Sequence, residues 1–369
     1  MTTDSRKVVP GCVFVALKGE HFDGNDFVEQ ARRDGAEYII SGENALAELQ
    51  DLARAWRREL GLPILGITGT NGKTTTKELC AAVLSTKYKL YYTQGNLNNQ
   101  LGVPLTLLNI TRAHEMAIVE MGASHPGDIK ELVEIAEPNY GLITNVGKAH
   151  LQGFGSFEGV MRTKAELYDF LRAHNGFCFR NTDNPYLAQM AGDLKTVEYH
   201  TGTMPSDTHL VGGYNAENVS AAICVGRYFG VSEEDALAAI RAYIPSNNRS
   251  QLMQTEKNTV VVDAYNANPT SMQAAINAFK GDCYILGAMR ELGEYSHLEH
   301  QNIVNMLLER KAEKVLLVGE EYKETTAPYP VFENVEALCE YLRREPLSGY
   351  TILLKGSRSN QLEKVIPLL

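Results

Sequence analysis

The chain has 369 residues, 44% hydrophobic and 22% charged, a length that suggests two or three domains and a composition that gives no reason to invoke disorder. Its formal net charge of −10 argues against a nucleic-acid surface, which needs an excess of Lys and Arg, so any anionic ligand must be bound locally. No apolar run reaches the ~18 residues of a membrane helix, the N-terminus MTTDSRKVVPG lacks an apolar signal core, and the six cysteines are scattered without a CxxC pair; a cytoplasmic protein with reduced thiols, no zinc site and no membrane insertion is expected.

The first sixty residues alternate short apolar runs, CVFVAL (12–17) and AEYII (36–40), with polar turns. They then enter the helical stretch LAELQDLARAWRREL, closed by Gly61 and Pro63. From Ile64 the pattern becomes strand then helix, repeatedly. ILGIT, MAIVEMG (116–122) and YGLITNVG (140–147) are continuous apolar runs of strand length, as expected of strands buried on both faces. TKELCAAVLSTKY and DIKELVEIAEP lie between them with helical patterning, which predicts a mostly parallel doubly wound sheet. A turn-rich zone, IPSNNRSQL (244–252), precedes a second alternation with TVVVDAY, CYILGAM, KVLLVG and YTILLKG as strands. The expected division is three α/β domains: 1–62, 63–245 and 246–369.

The stretch ILGITGTNGKTTT (64–76) places a glycine-bracketed turn between a buried strand and a helix. Backbone N–H groups of such a turn point at a phosphate, Lys73 adds a point charge, and the Thr74 hydroxyl can ligate magnesium. The strict GxxxxGK[ST] pattern is not met, because Ile67 stands five residues before Gly72 and the extra glycine is Gly69. A plain turn is the alternative. The ends of the next two strands offer Glu120 and His150, and the carboxyl ends of parallel strands are where such sheets hold ligands. Glu suits magnesium and His suits it less; a lone Glu there could equally face solvent, and a lone His could be structural. No Ser/His/Asp or Cys/His set suggests a protein nucleophile.

TGTNGKTTTKEL, GNLNNQLGVPLTLL (95–108), AIVEMGASHPGDI, TNVGKAHLQGFGSFEGV, DAYNANPTSM (263–272), MRELGEYSHLEH and LLKGSRS (353–359) occur in one order. In these blocks the sequence resembles the Mur ligases, the ATP-dependent amide-bond-forming enzymes of peptidoglycan precursor assembly. It looks most like the branch that adds D-alanyl-D-alanine to UDP-N-acetylmuramoyl tripeptide. The resemblance implies a small N-terminal UDP-binding domain, a central phosphate-loop ATPase domain and a C-terminal Rossmann-like domain, in a chain expected to be monomeric. It implies ATP contacts from Thr70, Asn71, Gly72, Lys73, Thr74 and Thr75, from Asn215 and Asn218 at the adenine, and from Arg249, Asp263, Tyr265 and Asn266 of the closing domain. It also implies two Mg2+ sites, Thr74 with Glu120 and His150 with a carbamylated Lys164, making Lys73, His150, Lys164 and Arg249 the catalytic set. Without the resemblance Lys164 reads as an exposed helix lysine and Asn215 as a helix cap. Substrate contacts are expected from Ser5 and Arg6 in the N-terminal domain, from Asn96, Asn98 and Asn99, and from a basic turn of Lys355, Ser357 and Arg358. A DNPR-like motif, which would mark the branch adding a single amino acid, is absent from the C-terminal part.

Three departures from the family pattern stand out. The chain starts almost on TDSR, so a strand of the first domain is expected to be missing or the start to be an alternative one. Only HTGTMPSDTHLVG lies between Tyr199 and Gly213, where relatives carry a longer excursion, and ILGAMRELG has Ala288 where relatives read GDM. These keep open an impaired nucleotide-binding homologue, and another amide ligase of the superfamily, a different Mur-type or a folylpolyglutamate-type enzyme, is the other alternative.

Overall fold

The computed structural model describes residues 1–19, 22–245 and 249–369. Three sheets follow one another along the chain. β1 (Val13–Val15) and β2 (Tyr38–Ile40) pair in parallel as a two-stranded sheet over a small core of Phe14, Ala16 and Ala31. Thr2 forms a bridge to Phe14 at its edge.

The central sheet contains β3 (Ile64–Thr68), β4 (Leu90–Tyr92), β5 (Met116–Glu120), β6 (Tyr140–Ile143), β7 (Phe177–Asn181) and β8 (Thr196–Tyr199), in the order β4-β5-β3-β6-β7-β8, every pair parallel. Its apolar runs are continuous because both faces are covered. Ala117 and Val119 of β5 enter one core cluster with Ile64, Leu132 and Leu167, while Met116 and Ile118 enter the opposite one with Leu65, Leu79 and Val225. The helix Ala45–Leu60 buries Ala45, Leu49, Ala53 and Arg57 along one stripe and packs on this central layer. Arg57 donates to the carbonyl oxygens of Ala136 (3.0 Å) and Glu137 (2.9 Å), and Gly61, at φ 62°, ends the helix.

The C-terminal sheet holds β9 (Gln251–Gln254), β10 (Thr259–Asp263), β11 (Cys283–Gly287), β12 (Lys314–Val318), β13 (Val331–Phe332) and β14 (Thr351–Lys355), in the order β13-β12-β11-β14-β10-β9. It is parallel except for β9, which runs antiparallel along β10. The turn expected at 244–252 contains residues 246–248, which lie outside the described residues, as do residues 20 and 21 of the N-terminal block. No helix among the described residues is long and apolar enough to cross a membrane.

The apolar runs predicted as strands all become strands, but β4, β7, β8, β9 and β13 were not anticipated. β7 reads FCFRN, and its Arg180 pairs with Glu198 in register across β8, so charge interrupts the apolar signal. β4, β8, β9 and β13 are edge or near-edge strands with mixed burial. Conversely, the run YGLITNVG stops being strand after Ile143, and Thr144–Gly147 forms a loop that carries part of the site.

Candidate active site

At the carboxyl ends of β3, β5 and β6, where the strand order reverses, a cleft of about 620 Å³ opens between the central and C-terminal sheets. The turn after β3 forms its floor. Gly69 takes φ 144° and Gly72 φ 78°, conformations that disfavour side chains, and Gly72 caps the helix Lys73–Leu84. The turn is fastened to the loop after β6. Thr70 N–H donates to the Asn145 carbonyl (2.9 Å), Asn71 N–H to the Asn145 side chain (3.0 Å), and the Thr144 hydroxyl to the Asn71 carbonyl (2.6 Å). The Lys73 ammonium donates to the carbonyls of Gly69 (2.7 Å) and Thr70 (3.0 Å), and burial pushes its pKa down to about 8. Thr75 completes this floor, whereas Thr70 is buried beneath it as an anchor.

Glu120, 1% exposed at the end of β5, accepts through one oxygen from Thr74 (3.2 Å) and Asn98 (2.9 Å). Its second oxygen is buried without a hydrogen-bond partner, 3.7 Å from the equally unpartnered ammonium of Lys77. A buried carboxylate with a free oxygen beside a hydroxyl is a donor set suited to a hard divalent cation. His150, at φ 49°, contacts the Glu291 carboxylate. Desolvation lowers its pKa, against the opposing charge of Glu291 and helped by the charges of Lys73 and Lys164. Lys164 is buried in the helix Phe157–Ala173, with its ammonium 5.5 Å from the centre of the Phe154 ring, and desolvation holds its pKa well below the usual lysine value. It is therefore a buried lysine behind His150 and not an exposed helix residue.

Asn215 and Asn218 are both buried and bonded to each other (Nδ2 to Oδ1, 2.8 Å), and Thr76 donates to Asn218 (3.0 Å). Asn215 also donates to the Val211 carbonyl, and Tyr214, without a side-chain cap bond, is the N-cap. The shortened segment before them remains a loop, held by Thr201 N–H on Asp183 and Gly202 N–H on Ser220.

From the C-terminal side Arg249 lies 3.8 Å from the Tyr265 ring centre, and Asp263, Tyr265 and Asn266 line the cleft. The basic turn departs from the expected set of free anion donors. The Lys355 ammonium is held by Asp263 (2.7 Å) and the Asn266 carbonyl (3.1 Å), because β10 and β14 bring these two ends into register. The Ser357 hydroxyl donates to the Ala288 carbonyl (3.0 Å). Arg358 remains at the rim, 5.7 Å from the Tyr265 ring centre, in an adjoining pocket with Asn96. Asn98 and Asn99 also line the main cleft, where the Asn99 side chain accepts from Gly102 N–H (2.8 Å) at the start of the helix Gly102–Leu108. Ser5 and Arg6 lie outside the cleft lining; the Arg6 guanidinium is exposed and bidentate on Asp4. Ala288 is fully buried in the C-terminal core, so its methyl does not face the cleft.

Several residues were not found from sequence. Asn268 donates through its amide to the predicted Asn71 (2.8 Å) and so joins the two sides, Lys148 pairs with the buried Glu299 (2.7 Å), and Lys148 N–H donates to Thr270 (3.0 Å). NPTS at 268–271 carried a usable signal, being a helix start with Asn at the cap and Pro at the first position.

Residues 67–201 match the Mur ligase middle domain, residues 248–358 the Mur ligase glutamate ligase domain, and residues 1–82 the Mur ligase family catalytic domain. The UDP-N-acetylmuramoyl-tripeptide--D-alanyl-D-alanine ligase of Bacillus subtilis is 32% identical, over 99% of this chain and 92% of its own. The protein of the same name in Escherichia coli is also 32% identical, over 100% of this chain and 93% of its own. Among solved structures, the MurF ligase of Thermotoga maritima in complex with ADP superposes with a TM-score of 0.87 at 28% identity, covering 100% of this chain and 96% of that one. MurF from Acinetobacter baumannii gives the same TM-score and identity over 99% and 92%.

Proposed function

The chain belongs to the Mur ligase family, and from that premise we propose that its cleft joins D-alanyl-D-alanine to UDP-N-acetylmuramoyl tripeptide at the expense of ATP, in peptidoglycan synthesis. The observation that carries the reading is the convergence of the phosphate turn, the unpartnered oxygen of Glu120 and the half-buried His150 on one cleft, with Lys164 buried behind His150. The full-length likeness to relatives of that single activity favours it over a sister amide ligase or an inactive homologue. The division into 1–62, 63–245 and 246–369 is part of the same proposal. So is a cytoplasmic monomer.

The triphosphate lies along the turn N–H groups, and Lys73 exchanges its loop carbonyls for phosphate oxygens. The terminal carboxylate of the tripeptide attacks the γ-phosphorus, and the bond to ADP breaks. The dipeptide amine then attacks the acyl carbon of the resulting acyl phosphate, phosphate leaves, and the amine loses a proton. Magnesium held by Thr74 with Glu120, and by His150 with carbamylated Lys164, would offset charge on the phosphoryl and acyl oxygens. Burial supports the modification, because a depressed pKa makes available the neutral amine that captures carbon dioxide. Asn215 and Asn218 turn their amides to the base, while Arg249, Asp263, Tyr265 and Asn266 cover the nucleotide. The Asn71–Asn268 and Lys148–Glu299 pairs hold the two sides together and exclude water that would hydrolyse the acyl phosphate.

The site assignment is tested by diffraction from crystals containing Mn2+ and a non-hydrolysable ATP analogue. Two anomalous peaks are expected, one at Thr74 and Glu120 and one at His150 and Lys164. A single peak, or an unmodified Lys164 turned away from the cleft, would overturn the second metal site.

A further inference from the structure

We infer that Glu291 is the anchor for the ammonium group of the incoming dipeptide, an inference that rests on the ligase reading above. The acceptor amine arrives as a cation at a cleft that Lys73 and Arg249 also line. An anion must therefore receive the amine. Two carboxylates of the C-terminal part line the main cleft, and Asp263 is already matched by Lys355 at 2.7 Å. Among the described residues Glu291 has no Lys or Arg within ion-pair distance, and its contact is His150.

Its backbone supports a functional role. Glu291 stands at φ 61°, in the left-handed region, which costs a residue with a side chain ~1 kcal/mol or more. The conformation is held by Gln152 N–H, which donates to the Glu291 carbonyl at 3.1 Å from the turn that begins at His150. His150 is itself left-handed, so two such residues from opposite sides meet where the acyl group would be. The side chain is 56% exposed, leaving one flank of the carboxylate open to a ligand. Because the bond from Gln152 spans the two sides, the amine anchor is assembled when they close, beside the group that the amine attacks.

The test compares the wild-type enzyme with Glu291→Gln and with Glu291→Asn, the latter being a residue that tolerates the left-handed region. Steady-state constants are measured for all three substrates, Mg-ADP affinity by calorimetry, and thermal stability alongside. The expected result is a KM for D-alanyl-D-alanine raised about tenfold or more in both variants, as befits loss of a charged hydrogen bond. The constants for ATP and UDP-muramoyl tripeptide, the Mg-ADP affinity and the melting temperature should not fall with it. An unchanged KM for the dipeptide overturns the inference. So does an equal loss of Mg-ADP affinity, which would make Glu291 part of the metal site. A wild-type enzyme that forms no dipeptide adduct in the same assay overturns the ligase reading, and the inference with it.

Discussion

Substituting Gly69 by alanine probes the geometry on which the phosphate turn depends. A Cβ at this position would stand 1.9 Å from the Thr144 hydroxyl oxygen, 3.0 Å from the Thr144 nitrogen and 3.1 Å from its Cβ, with φ at 144°. The unfavourable backbone costs about 1–3 kcal/mol, overpacking adds about 1–3 kcal/mol, and displacing the hydroxyl from the Asn71 carbonyl forfeits about 1 kcal/mol. A loss of about 3–7 kcal/mol follows from their sum. Gly61 supplies the control, because its φ is 62° and nothing lies within 4 Å of the Cβ position, so alanine there costs only ~1–2 kcal/mol. Urea unfolding followed through a bound fluorescent ADP reads both variants. Adding Thr144→Ala to Gly69→Ala removes the 1.9 Å collision and should restore about 1–3 kcal/mol as a coupling between the sites. A Gly69→Ala protein no less stable than Gly61→Ala, or a double variant without coupling, refutes the packing of this turn against Thr144.

Replacing Glu120 by Gln removes the carboxylate with the unpartnered oxygen, so ADP affinity should fall about 10- to 100-fold in Mg2+ and stay unchanged in a chelator, as measured by calorimetry. Purging carbon dioxide should lower the rate of ADP release, bicarbonate should restore it, and Lys164→Met should be inactive under both conditions. His300 gives a pH effect on stability. Burial holds its pKa below the ordinary 6.5, and the neutral ring donates from Nδ1 to the Ser296 carbonyl (2.7 Å) and accepts at Nε2 from Met289 N–H (3.0 Å). The unfolded chain therefore binds the proton first as pH falls. This stabilisation is complete above 6.5 and is lost as pH drops from there through the depressed value, a slope in melting temperature that His300→Phe should flatten.

The sequence made legible whatever was written in continuous apolar runs and in the phosphate turn. ILGIT, MAIVE and CYILG are buried at every residue, so their patterning had one reading, and the glycines around Asn71 marked the turn directly. Edge strands such as LYY (90–92) bury too little to carry a signal. Site residues on the central sheet were readable because strand ends deliver Glu120 and His150 to one side. The state of Lys355 was not readable, since its pairing with Asp263 depends on β10 and β14 lying side by side although 92 residues apart in sequence. Lys164 shows the same limit: nothing local separates it from an exposed helix lysine, and its burial comes from packing against the turn of His150 and Phe154. Glu291 and Asn268 act across the cleft, so their roles appear only once the two sides face each other.

The central claim, that the cleft activates a peptide carboxylate for attack by a dipeptide amine, is met most directly by ADP release with UDP-muramoyl tripeptide, measured with and without D-alanyl-D-alanine. Sustained ADP release that requires both substrates, with one dipeptide added per ADP, is the predicted result. ADP released equally without the dipeptide, or only with another amino acid, would contradict it, as would tight ATP binding without turnover.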